Sequence, residues 1–233
     1  MKKTFILSII ILASLSLVLT GCGEEKGVIE SSGASELTYT PDMVELSVGY
    51  AILKPTAQEA QSSASEVTNK IIQGLKSLNI PESNIKTESL SLYEEKDWSN
   101  GQKSLGWRSN QIIKIKSYDL TQAGTIIDNS VSNGANQINY ISFGFKPETE
   151  VKYKQDAIKE AIKNAQTKAE SMAQGLNSKL GKIKSVSESN YYYSPRMYAL
   201  ESADLAKASG QASSVLPGEV AVTANVVVVY YIK

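Results

Sequence analysis

VELSVGYAILKPTAQEAQSSASEVTNKIIQGLKSL, residues 44–78, decides the fold. Val44, Leu46, Val48 and Tyr50 fall at every second position, the period of a half-buried strand. Leu37 and Tyr39 extend the alternation upstream. Thr40-Pro41-Asp42 interrupts it with a turn, because proline offers no ladder donor. Pro55-Thr56 then opens a helix. Thr56 is a good N-cap, and Glu59 three positions on completes a capping box. Ala60, Ala64, Val67, Ile71, Leu75 and Leu78 follow at steps of three and four, one face of a helix. Its small alanines allow close approach to a sheet. The pattern stops near Asn79, just before Pro81.

Downstream the alternation resumes. Ile85–Glu94 reads as a strand, and Asp97-Trp98-Ser99-Asn100-Gly101 carries the Asn-Gly signal of a hairpin. Leu105–Tyr118 returns as its partner. Leu120–Val131 is helical, capped by Asp119 or Thr121, with Gly134 as its stop. Ile138–Phe145 is a further strand. The longest helix is expected over Glu148–Leu180, with an apolar stripe through Ala157, Ala161, Ala165, Ala169 and Ala173, ending at Gly181. Ile183–Asn190 is a strand. Glu219–Ile232 is almost continuously β-branched, which suits a strand buried on much of both faces. The order from Val44 to Phe145 is βαββαβ, that of ferredoxin-like split βαβ folds. The class is therefore α+β: a mixed sheet containing that stretch, extended by a long helix and two further strands. The pattern shows no second hydrophobic core set apart by a linker.

The composition narrows the chemistry. The chain has 233 residues, 42% hydrophobic and 21% charged, with equal numbers of basic and acidic side chains. This is a globular mixture with no basic excess, so nucleic acid is not an expected partner. Histidine is absent and there is one cysteine. That removes histidine acid–base catalysis, Ser-His and Cys-His pairs, disulfides within the chain and cysteine zinc sites. No glycine-rich phosphate loop, HExxH or GxSxG pattern occurs. No catalytic residue, metal site or cofactor is expected, and the chain is not read as an enzyme.

The amino terminus is an export signal. Lys2 and Lys3 precede an apolar run, Phe5–Leu19, that is short for a membrane-spanning helix. The run ends in Leu19-Thr20-Gly21-Cys22, which resembles a lipobox, where small residues precede a cysteine that is diacylated before cleavage. Residues 1–21 are expected to be a lipoprotein signal peptide, with Cys22 the lipidated residue and 22–35 a tether. A single domain is expected over 36–233, with a mobile loop near 194–216. Two acyl chains anchor stably, at about 0.8 kcal/mol per buried CH₂. The expected location is extracytoplasmic, lipid-anchored to the cell membrane or an outer membrane.

Other clusters have plain explanations. Glu94, Glu95 and Asp97 form an acidic cluster that could bind a cation, and Asp97-Trp98-Ser99-Asn100-Gly101 faintly echoes the start of a calcium loop, but the glycine comes early and Arg108 stands where the closing Glu belongs. A solvated hairpin tip fits them better. Asp128 has no identifiable nucleophile partner and reads as a helix-surface carboxylate. Tyr191, Tyr192, Tyr193, Arg196 and Tyr198 form a candidate contact loop for protein or sugar. An equal alternative is that the tyrosines finish a strand and pack on its rim.

Several short motifs, in order and at compatible spacing, resemble the SIMPL-domain family, which includes periplasmic immunogenic proteins. They are Gly33 with Pro41-Asp42, Asn110 after Gly106, Leu120…Gly124…Ile127-Asp128, and Gly134-Ala135-Asn136. Ile141-Ser142-Phe143, the alanine stripe with Lys168-Ala169, Leu180-Gly181 and Pro217-Gly218-Glu219 complete the set. Ser35 stands where the family usually has a second glycine, and Trp107 where it usually has tyrosine. The resemblance implies an α+β envelope protein, in some members assembled into rings or channel-like oligomers, with a link to envelope or oxidative stress. It implies no catalytic residues. The leading expectation is a non-enzymatic lipoprotein acting by self-association, as a homo-oligomer, or by binding an envelope protein partner. A small-molecule or glycan-binding lipoprotein is the alternative. A hydrolase built on paired carboxylates, which needs no histidine, ranks third.

Overall fold

The computed structural model describes residues 27–99, 101–194, 196–198 and 215–233. The chain runs β1 (Val28–Tyr39), β2 (Met43–Lys54), α1 (Ala57–Ser77), β3 (Ile85–Asp97), β4 (Lys103–Ser117), α2 (Ala123–Ser132) and β5 (Gln137–Gly144). It continues as α3 (Pro147–Gly175), β6 (Leu180–Ser194), β7 (Arg196–Tyr198) and β8 (Val220–Ile232). The class is α+β, as the sequence patterning indicates. The strands divide between two sheets, ordered β3-β4-β2-β5-β7 and β1-β8-β6, and every described ladder is antiparallel.

The larger sheet holds the βαββαβ unit. β4 lies between β2 and β3, so the connection through α1 skips one strand, the split βαβ arrangement. Thr56 caps α1 as expected, accepting a 3.2 Å hydrogen bond from the Glu59 amide. Val44, Leu46, Val48, Ile113 and Ile115 bury one face of the sheet against Ile71 and Leu75 of α1 and Ile126 and Ile127 of α2. Tyr50 brings a hydroxyl into this core. It lies 2.9 Å from the Ala64 carbonyl, 2.7 Å from Thr68 Oγ1 and 2.8 Å from Gln111 Oε1, so the buried polar atom is partnered.

The smaller sheet packs on α3. Ala157, Ala161, Ala165, Ala169 and Ala173 recur every fourth residue, and all are buried. Without long side chains the helix settles against β1. A Cβ built on Gly33 would stand 2.0 Å from the Ala161 carbonyl oxygen. On either side of Gly33, Ser31 Oγ donates to the Ala165 carbonyl at 2.9 Å and Ser35 Oγ to the Ala157 carbonyl at 2.7 Å. Ser35, in place of a second glycine, thus fits and adds a hydrogen bond.

Several boundaries and burial patterns differ from the sequence reading. β1 begins at Val28, so residues 28–35 belong to the sheet rather than to a tether. Ser31, Gly33 and Ser35 look like linker composition, yet each is the small residue that close contact with α3 requires. A second hydrophobic cluster forms between α3 and the smaller sheet, where one core was expected. No linker sets it apart: the chain crosses between sheets at Thr40–Asp42. β8 is not covered on both faces. Val220, Val222, Ala224, Val226 and Val228 are buried beneath α3, while the alternate residues are partly or fully exposed. α3 ends at Gly175, not near Gly181. Asn177 adopts φ 51° there and the Ser178 amide bonds back to the Ala173 carbonyl. Residues 1–26, including Cys22, and most of the 194–216 loop lie outside the described residues.

Candidate functional site

The strand period that buries Val44, Leu46 and Val48 turns Glu45 and Ser47 to the opposite face of the larger sheet. A polar network covers that face. Glu45 lies 3.2 Å from Lys114 Nζ and 3.4 Å from Lys116 Nζ, and accepts from the Tyr140 hydroxyl at 2.9 Å. Lys114 also meets Glu88 at 3.3 Å, and Glu88 accepts from Ser47 Oγ at 3.0 Å. Burial pushes the Glu45 carboxyl up, but the hydrogen bonds from Tyr140 and Lys114 and the two lysine charges outweigh it. The net shift is downward. Lys114 is held above the ordinary lysine range by Tyr140 and by Glu45 and Glu88, against its own desolvation. A carboxylate held ionised in this way is a poor proton donor, which disfavours Glu45 as the acid of a glycosidase-type pair.

At one end of this face the network opens into a groove of about 210 Å³. Met43, Glu45, Lys116, Phe145, Glu150 and Tyr193 are among the residues that line it. Asp42 holds the segment that carries Phe145, Pro147 and Glu150. Its Oδ1 accepts from the Lys146 amide at 2.7 Å and its Oδ2 from Thr149 Oγ1 at 2.6 Å, so the turn residue after Pro41 ties β2 to the start of α3. The Tyr193 hydroxyl accepts from the Phe145 amide at 3.0 Å. Phe145 sits edge-on to Tyr153 with centroids 4.9 Å apart, and Tyr153 stacks on Tyr39 at 3.6 Å. Burial raises the Tyr193 phenol above its ordinary value.

The tyrosine segment is therefore not a loop. Tyr191, Tyr192 and Tyr193 are in β6, opposite Ala224, Thr223 and Val222 of β8. Arg196 and Tyr198 are in β7, opposite Phe143 and Ile141. The strand-and-rim reading holds for Tyr193, which is partly buried, while Tyr192 is 65% exposed. Ladder pairing with β8, invisible to local pattern, extends β6 through these residues. The groove brings Tyr193 to Glu45, Lys116 and Glu150, none of which the sequence singled out. The only sequence signal of Glu45 and Lys116 is polar alternation along β2 and β4, and Glu150 is a charge in the first turn of α3.

The hairpin carboxylates are engaged locally. Glu95 pairs with Arg108, Glu94 lies 3.2 Å from Lys96, and Asp97 Oδ1 accepts from the Ser99 amide at 3.0 Å. Among the described residues no group of three cysteine or carboxylate side chains is arranged to hold a metal ion. Gly134 takes φ 107° at the end of α2, the turn role read from its sequence. Two positions on, Asn136 Oδ1 accepts from the Ala51 amide at 2.9 Å and its Nδ2 donates to the Ala51 carbonyl at 3.1 Å.

The match to the SIMPL family model spans residues 29–230, most of the chain. The chain belongs to the SIMPL family. That family is described as proteins of unknown function (DUF541). The chain is similar to the uncharacterized protein YggE of Escherichia coli K12, at 29% identity over 187 residues, 78% of this chain and 74% of that one. YggE of Edwardsiella ictaluri is 29% identical over 178 residues, 73% of each chain. The 26 kDa periplasmic immunogenic protein of Brucella melitensis is 26% identical over 169 residues, 69% of this chain and 66% of that one. In this SIMPL chain Gly33, Asp42 and Asn136 thus have structural duties: close helix packing, a tie to the start of α3 and a side-chain rung on β2.

Proposed function

We propose that this SIMPL protein is an extracytoplasmic, non-enzymatic envelope lipoprotein, anchored through Cys22 and acting by association with copies of itself or with an envelope protein. Edge strand β6 carries this reading. It is 15 residues long, and residues 182–188 are exposed on both faces. Exposed, long edge strands offer unpaired backbone groups to another chain. The periplasmic naming of the Brucella relatives supports the location. The lipobox-like Leu19-Thr20-Gly21-Cys22 supports the anchor. A role in envelope or oxidative stress rests on the family resemblance.

Two measurements test it. Fractionation should find the parent chain with membranes and a Cys22→Ser variant released from them or unprocessed. Light scattering of the detergent-extracted chain over a concentration series should give a mass above that of the monomer. A Cys22→Ser variant that fractionates like the parent sinks the anchor. A monomer that also captures no envelope protein after cross-linking sinks the association.

A second reading is a small-molecule or glycan-binding lipoprotein. The groove beside Tyr193 favours it, because aromatic rings and fixed polar groups converge there. A thermal-shift screen with glycans, on the parent and on Glu150→Gln, tests it. No shift with any glycan removes this reading.

A further inference from the structure

β1 begins at Val28, six positions after Cys22. Six residues of chain span at most about 20 Å, so an acylated Cys22 holds the start of β1 within that distance of its bilayer. The start of β1, the start of β6 and the end of β8 lie together. The Ile232 amide donates to the Gly27 carbonyl at 3.0 Å. Lys179 and Lys233 exchange backbone hydrogen bonds of 3.0 and 2.9 Å, which close the last rung of the smaller sheet. The turn at 176–178 that ends α3 leads directly into this rung.

This end of the sheet is basic and apolar. Lys179, Lys182, Lys184 and Lys233 are exposed, and among the described residues none of them is bridged to a carboxylate. Lys184 Nζ lies 5.9 Å from the centre of the Tyr231 ring. Among the described residues 27–30, 176–184 and 229–233, Glu30 is the one carboxylate side chain. Ile183 is 58% exposed, because α3 sits over β1 and β8 and leaves β6 overhanging. Leu176 is 62% exposed where the helix stops. At the opposite end of the same layer Glu36, Glu148, Glu150 and Glu219 outnumber Lys146 and Lys152.

We propose that this end of the smaller sheet docks on the surface of an anionic phospholipid bilayer. The inference rests on the anchor reading above and names the face that the anchor brings down. The ammonium groups of Lys179, Lys182, Lys184 and Lys233 meet the headgroup phosphates, and Leu176 and Ile183 enter the shallow apolar layer beneath them. Flexible lysine stems keep the charge at the phosphates while apolar neighbours sink. Each lysine close to an anionic surface strengthens binding about fivefold. Buried apolar area adds to that attraction. The chain as a whole has equal numbers of basic and acidic side chains, so the attraction belongs to this end alone. A tether this short makes the docking intramolecular, and a weak surface attraction then suffices.

The test uses the processed chain, extracted from its own membrane and reconstituted in vesicles that carry a headgroup-nitroxide lipid as quencher. An acylated Cys22 has no free thiol, so Ile183→Cys takes up a single fluorophore. Thr38→Cys is the reference: it is exposed, and it lies ten residues along β1 from Val28, about 33 Å away. In equal parts phosphatidylcholine and phosphatidylglycerol, the label at Ile183→Cys should be quenched well above the label at Thr38→Cys. Replacing the phosphatidylglycerol with phosphatidylcholine, or raising the salt, should relieve the quenching. Adding Lys182→Glu and Lys184→Glu should lower the docked population more than about tenfold. Equal quenching at the two positions, or indifference to anionic lipid or to the charge reversals, overturns the proposal. The parent chain reports on the anchor separately. If it takes up no label and floats with the vesicles while Ile183→Cys ignores anionic lipid, the anchor stands and the docking face falls. If Cys22 of the parent takes up label, the anchor falls, and the same lipid comparison on Ile183→Cys combined with Cys22→Ser decides the docking face by itself.

Discussion

Asn136 pairs with the backbone of Ala51 through both ends of its side-chain amide, accepting from the amide nitrogen at 2.9 Å and donating to the carbonyl at 3.1 Å. The Asn136 amide nitrogen also donates to the Gly49 carbonyl at 3.0 Å. The side chain therefore continues the β2–β5 ladder by one rung where α2 turns into β5. Asn136→Ala should lower unfolding stability by about 1–2 kcal/mol, the net worth of two hydrogen bonds. Ser132→Ala, which loses a bond to its own helix, should change it by less than about 0.5 kcal/mol. Urea denaturation of the two variants checks the difference.

Gly33 is the point of closest approach between α3 and its sheet. In Gly33→Ala the new methyl would meet backbone, not a movable side chain, so α3 must shift off β1. The expected loss is about 2–4 kcal/mol, at the upper end for overpacking. Ser35→Ala, which removes the hydrogen bond to Ala157 and adds no atom, should cost about 1 kcal/mol. A fall in melting temperature for Gly33→Ala no larger than for Ser35→Ala would contradict this packing.

Glu45 links stability to pH. Its folded carboxyl titrates below the ordinary value of 4.5. A depressed folded pKa adds stability that is present above the unfolded value and is lost as pH falls through the folded one. Glu45→Gln lacks this contribution. The parent should therefore be the more stable at pH 7, and the gap should narrow below about pH 4.5 and vanish below the folded pKa. A gap that stays constant from pH 7 to pH 3 would show that the lysines and Tyr140 do not act on Glu45 as described.

Tyr193 supplies an acceptor to a buried amide. Tyr193→Phe keeps the ring beside Phe145, with centroids 5.3 Å apart in the parent, but leaves the Phe145 N–H without that oxygen. The expected cost is about 1–2 kcal/mol, measured by chemical denaturation. Tyr192→Phe, on the exposed face of the same strand, should be nearly neutral.

The elements with strong local periodicity are legible in the chain itself. Val44, Leu46, Val48 and Tyr50 mark β2, Thr56 and Glu59 mark the start of α1, and Asn100-Gly101 marks the hairpin. Each signal acts within a few residues, through side-chain alternation, a helix cap or a turn conformation. The candidate groove was not legible. Tyr193 was visible only as one of several tyrosines, and Glu45, Lys116 and Glu150 looked like ordinary surface charges.

The sequence by itself determined the α+β class, the βαββαβ order, the absence of histidine chemistry and the alanine stripe of α3. Only the tertiary structure decided that Ser31, Gly33 and Ser35 are packing residues rather than tether. It also decided that the strands divide between two sheets, that β8 is covered on one face, and that β6 overhangs α3. The physical reason is range. Periodicity and capping are written in neighbouring residues, whereas close approach, ladder pairing and edge exposure depend on partners more than a hundred residues away, as with Ser31 and Ala165.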